Sequence, residues 1–182
     1  CLKGLHGLKS FHLEIMSAEI TDSWLKRLGD GLKELRSLQN LSLIIEGPMI
    51  TDVGLVDISA GFMDLVHLES LRLGFFYGYR MWESGCWQIF RNMNNLTSLK
   101  RLEVRSAGGG LWSNKELTNL GEALDIMSSL ERLKLVLSVR QSFSDEGMLD
   151  FSKGLRYLDS LKGIELRFQT PVEISDGALK SL

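Results

Sequence analysis

Leu38-Gln39-Asn40-Leu41-Ser42-Leu43 returns as Leu68-Glu69-Ser70-Leu71-Arg72-Leu73, and the distance between the two decides the fold. The same L-x-x-L-x-L core reads Leu8/Phe11/Leu13, Leu99/Leu102/Val104, Leu130/Leu133/Leu135 and Leu161/Ile164/Leu166 elsewhere. First anchors fall at 8, 38, 68, 99, 130 and 161, so the steps are 30, 30, 31, 31 and 31 residues. A step that regular over the whole length predicts stacked copies of one unit rather than a globule around one central core.

A second landmark runs in phase with the first: Asp22, Asp52, Glu83, Asn114, Asp145 and Asp176. Thr21, Thr51, Ser113, Ser144 and Ser175 precede it, with Trp82 as the exception. A Ser or Thr oxygen accepts the first free N–H groups of a helix, and an acidic residue suits its positive end. Each landmark therefore predicts a helix start. Leu55, Ile58, Phe62 and Leu65, then Met148, Phe151, Leu155 and Leu158, keep the helical spacing of a single buried stripe. In the segment that follows, Leu41 and Leu43 alternate with Asn40, Ser42 and Ile44 as a strand requires. One copy is thus a short strand, a loop, a helix and a turn back. Stacked copies would align their strands in a parallel sheet on one side and their helices on the other. A coiled coil is excluded, because the apolar period switches between two and three-to-four within every copy.

The six L-x-x-L-x-L cores, with Ile50-Thr51-Asp52-Val53-Gly54, Phe143-Ser144-Asp145-Glu146-Gly147 and Ile174-Ser175-Asp176, carry a family resemblance. All 182 residues resemble a leucine-rich repeat array of the long, ribonuclease-inhibitor-like type. Repeats of this I-T-D-x-G kind are also similar to those of large protist, notably ciliate, repeat proteins. The resemblance implies an α/β fold: a right-handed βα solenoid, or horseshoe, with a parallel concave sheet and convex helices in about six repeats of 30–31 residues. One feature departs from the family, which places Asn or Cys a few positions past the strand as a ladder for backbone groups. Met16, Glu46, Phe76, Ala107, Ser138 and Gln169 fill that slot here, so a wider, less regular turn is expected.

Leu2 and Leu5 match Leu32 and Leu35 of the next copy, and Leu179 and Leu182 match Leu55 and Ile58. Residues 1–182 are accordingly expected to be one repeat array, cut in mid-repeat at both ends, from a longer protein. No apolar run approaches the roughly 20 residues that cross a bilayer. The two cysteines, Cys1 and Cys86, supply no disulfide-clamped cap, which favours a reducing, intracellular and cytoplasmic setting. Cys86 is expected to be a buried small hydrophobe. A net charge of −2 excludes bulk attraction to nucleic acid or membrane.

Outward strand positions of successive copies form three columns. The middle one is His12, Ser42, Arg72, Glu103, Lys134 and Glu165. Before it stand Ser10, Asn40, Ser70, Arg101, Arg132 and Gly163; after it, Glu14, Ile44, Gly74, Arg105, Val136 and Arg167. Arg72, Arg101, Arg105, Arg132, Lys134 and Arg167 therefore crowd copies three to six. Tyr77 and Tyr79 follow the third strand, and Tyr with Arg is the composition of an interaction hot spot. Two readings stay open: one has an acidic or mixed-charge protein surface docked on this face, with Tyr77 and Tyr79 at its rim. The alternative has Arg101, Glu103 and Arg132 in cross-strand ion pairs that merely solvate the sheet.

Trp112 in an apolar helix-start slot is expected in the core, and Trp82 is assigned to core or loop packing. Trp87 is expected on the outer face. Gly108-Gly109-Gly110 is read as a slack loop, since no G-K-[ST] follows it. His6, His12 and His67 do not combine with a nucleophile or a metal-ligand spacing, so no catalysis and no cofactor is expected. The function predicted is a protein-interaction scaffold, within a large cytoskeletal or ciliary assembly or as the recognition arm of a ubiquitin ligase. The architecture also serves GTPase activators, although no motif here carries that activity. Nucleic acid is disfavoured by the interspersed Glu103 and Glu165.

Overall fold

The computed structural model describes residues 2, 4–76, 86–107, 112–138, 143–169 and 176–177, with the backbone alone at 86–88 and 107. Among the described residues strand and helix alternate: β1 Ser10–Met16, α1 Asp22–Leu32, β2 Asn40–Glu46, α2 Asp52–Ser59, β3 Ser70–Phe76, α3 Cys86–Arg91, β4 Arg101–Ala107, α4 Asn114–Asp125, β5 Arg132–Ser138, α5 Asp145–Leu155 and β6 Gly163–Gln169. The chain is α/β, and its six strands form one all-parallel sheet in the order β1-β2-β3-β4-β5-β6.

Pairing is in register with the repeat. Leu41 lies opposite Leu71, Leu71 opposite Leu102, and Leu102 opposite Leu133. The anchors of neighbouring copies thus make continuous rows. Leu41, Leu71, Leu102 and Leu133 are at most 2% exposed, and Leu55, Ile58, Phe62 and Leu65 are fully buried with them; Leu55 and Ile58 lie on α2, whereas Phe62 and Leu65, expected on the same helix, fall beyond its end at Ser59. In β1, which has one strand neighbour, Phe11 and Leu13 are only half-buried; in β6, Ile164 is 47% exposed. The neighbouring repeat, not the repeat's own helix alone, completes the burial.

The slot expected past each strand is in fact its last residue. Met16, Glu46, Phe76 and Ala107 pair in sequence across β1 to β4, and Ser138 pairs with Gln169. With no Asn or Cys there, these residues carry the sheet pairing one step further, except between Ala107 and Ser138.

A side-chain ladder exists, but at the helix starts. Four helices begin at the expected landmark, Asp22, Asp52, Asn114 and Asp145. Thr51, Ser113 and Ser144 cap their own helices, and Ser113 forms a reciprocal capping box with Glu116. Thr21 makes no such side-chain bond. The landmark residue reaches the next repeat instead. Asp22 Oδ1 accepts from Thr51 N–H at 2.8 Å, and Asp22 Oδ2 accepts from Thr51 Oγ1 at 2.6 Å. Asn114 Oδ1 likewise accepts from Ser144 N–H at 2.9 Å.

This explains the glycine of the I-T-D-x-G pattern. A Cβ on Gly54 would overlap the Asp22 carboxylate, and one on Gly147 would lie 2.5 Å from Asn114 Oδ1. Glycine lets one repeat's carboxylate or amide lie against the next repeat's helix. Helix bodies also approach through glycine: a Cβ on Gly29 of α1 would come within 2.5 Å of the Asp57 carbonyl oxygen of α2.

Two outcomes check this description. Leu102→Ala should cost roughly 2–5 kcal/mol of stability by thermal or urea unfolding. Ser42→Ala should cost almost nothing, since the Ser42 hydroxyl has no hydrogen-bond partner among the described residues. Equal melts for the two would mean the strand register is wrong. Separately, Gly54→Ala should destabilise although Ala is the better helix former by about 1 kcal/mol. Its cost should shrink in an Asp22→Ala background, with a coupling of about 0.5–3 kcal/mol in a double-mutant cycle.

Candidate functional site: the charged open face of β3 to β6

All three outward columns form as the spacing predicts. His12, Ser42, Arg72, Glu103, Lys134 and Glu165 pair successively across the six strands. Arg101 lies opposite Arg132, Arg132 opposite Gly163, and Gly74 opposite Arg105. The first three residues of β3, β4, β5 and β6 line an open groove of about 400 Å³. It contains Arg72, Arg101, Arg132 and Lys134 but neither Arg105 nor Arg167, which stand further along the strands. Tyr77 and Tyr79 lie outside the described residues, as do Trp82 and Gly108–Gly110.

The charges sort themselves by column. Glu103 is held between Arg72, at 3.5 Å, and Arg105. Glu165 is held between Lys134, at 2.6 Å, and Arg167, at 2.7 Å. The hydrogen bond from Lys134, aided by the charge of Arg167, keeps the Glu165 carboxyl below the usual glutamate range. A fourth column, just before the strands, alternates in sign. Here Lys100 binds Glu69 at 2.9 Å and Lys162 binds Glu131 at 3.0 Å. The Lys162 hydrogen bond and charge lower the Glu131 carboxyl as well, with smaller help from Lys100 and Arg101.

Between these two neutralised columns runs Ser70, Arg101, Arg132 and Gly163. Among the described residues, neither Arg101 nor Arg132 has an acidic partner within 4.0 Å. The expected ion pairs of Arg101 and Arg132 with Glu103 do not form. Arg72 and Arg105 already occupy both oxygens of that carboxylate. Two exposed guanidinium groups are left side by side on adjacent strands, flanked by a serine and a glycine. Like charges directly opposite one another are unfavourable in a sheet; Arg101 is relieved in part by the charge of Glu131, whose carboxyl it helps to lower.

The sequence reading missed the fourth column, although Glu69, Lys100, Glu131 and Lys162 recur at the same 31-residue step. It also missed an apolar outer face on the second repeat. Val53, Val56, Met63 and Val66 are exposed there, where the first repeat has Ser23, Lys26, Lys33 and Arg36 in the same slots. Trp112 is buried as expected. It packs on Phe90 with ring centres 5.6 Å apart and donates its indole N–H to Ser106 Oγ at 2.8 Å. The side chains of Cys86 and Trp87 lie outside the description. Among the described residues, no cluster of three or more His, Cys, Asp or Glu could hold a metal, and no helix is long and apolar enough to cross a membrane.

No protein-family model matches the chain, and no curated protein matches it either.

The ion pairs make a pH prediction. Because the Glu165 carboxyl titrates below its ordinary range, its stabilising pairs are fully present above that range and are lost as the pH falls through the lowered value. A side-chain NMR titration should give Glu165 a lower midpoint than an unpaired glutamate, and Lys134→Met should move that midpoint upward.

Proposed function

We propose that the chain is a non-catalytic leucine-rich repeat array that binds an acidic segment of a partner protein across the open face of β3 to β6. The fold part of this reading is supported by strand order. A doubly wound nucleotide-binding sheet reverses its order at a switch point, where its ligand sits. Here the order runs one way, and each helix packs against the helix one repeat along: α1 on α2, α2 on α3, α3 on α4, α4 on α5. That neighbour-to-neighbour arrangement is what a solenoid with a concave sheet requires.

The binding part rests on one observation, the Arg101/Arg132 pair, which has no salt-bridge partner among the described residues. An acidic segment would supply one, and Arg gives it a planar fork of donors. Nucleic acid is less well supported. Firm duplex binding draws on roughly six to ten phosphate contacts, whereas this groove offers the Arg101/Arg132 pair, and Glu103 and Glu165 line it as well. The array would act as the recognition element of a larger assembly, whether a scaffold or the substrate arm of a ligase.

The test is a proximity-labelling and pull-down comparison in the source cell, with the parent protein and its Arg101→Glu/Arg132→Glu form. Both sites are exposed, so stability should change by about 0.5 kcal/mol or less. A defined partner should disappear, and its capture by the parent should weaken as salt rises. An unchanged set of partners would move the interface off this face.

A further inference from the structure

The Arg101/Arg132 pair carries a finer reading, which rests on the proposed function above: we infer that it receives one doubly charged phosphoryl group, borne on a phosphorylated side chain of the partner segment. The column before and the column after are neutralised, so the unmatched charge is concentrated on two groups in the same row. Adjacent strands are about 4.8 Å apart, which brings both guanidinium groups within reach of a single anion. Two carboxylates would match this spacing poorly. Neighbouring same-face side chains of an extended peptide stand about 6.6 Å apart, and two carboxylates forced closer would repel each other.

A phosphoryl group carries about −1.5 to −2 charges and three acceptor oxygens on one centre. That matches two excess positive charges and two donor forks. Gly163 and Ser70, at the two ends of the row, leave space beside the pair for the segment that bears the phosphate. The groove is open and crosses four strands, a shape suited to an extended chain rather than to an enclosed small molecule.

Four probes separate the possibilities, each titrated into the whole 182-residue chain and followed by backbone amide NMR. They are a phosphoserine peptide with glycine flanks, the same peptide with serine, the same with Glu-Gly-Glu (the Glu-Glu peptide), which puts two carboxylates on one face, and inorganic phosphate. The phosphoserine peptide should bind at least tenfold tighter than the other three and shift the amides of residues 101 and 132. Arg101→Lys/Arg132→Lys keeps the charge but removes the forks. It should lose at least tenfold for the phosphoserine peptide and change Glu-Glu binding little. Equal binding of the phosphoserine and Glu-Glu peptides would overturn this inference while leaving an acidic partner in place. Phosphate binding as tightly as the peptide would overturn the side-chain source. Failure of both acidic peptides would overturn the inference together with the reading beneath it.

Discussion

No repeat of this chain can bury its own leucines, and everything else in the structure depends on that constraint. Leu71 is covered because Leu41 and Leu102 stand on either side of it in register and Phe62 and Leu65 lie in the layer that closes the core. Phe11 and Ile164, at the two edges of the sheet, show the same chemistry with one neighbour missing and remain partly open. A slip of one residue in any strand would turn a whole leucine row to solvent. Burial therefore holds the register, and the register in turn places every outward side chain in a row with its counterparts.

That second consequence turns a packing rule into the candidate recognition surface. Rows of outward residues bring charges together whether or not they match. Where they match, they pair: Lys100 with Glu69, Lys134 with Glu165. Arg101 and Arg132 are brought together by the same leucines and cannot move apart without breaking the rows on either side. Exposed pairs such as these change stability little, so the cost is one the array tolerates.

Much of this was legible in the sequence, because it depends on period alone. The 30- and 31-residue steps predict the six strands, the four described helix starts at the landmark and the membership of each column. What period cannot decide is which of several neighbours a side chain chooses. Glu103 has Arg72 and Lys134 across the strands and Arg101 and Arg105 on its own strand, and it takes Arg72 and Arg105. Asp22 could serve its own helix but reaches Thr51 in the next. Both choices depend on side-chain geometry that spacing does not encode. The glycine at 54 was the visible trace of the second one: it marks where a neighbour's carboxylate lies, a meaning that emerges only once the repeats are stacked.

The central claim is the partition of charge among the columns, and arginine side-chain NMR tests it most directly. Arg105 donates its Nε–H to Glu103 Oε1. That Nε–H signal should be resolved and exchange slowly with water, whereas those of Arg101 and Arg132 should exchange fast until an anion is added. Equally slow exchange at all three positions would mean that Arg101 and Arg132 already have partners, and would contradict the claim.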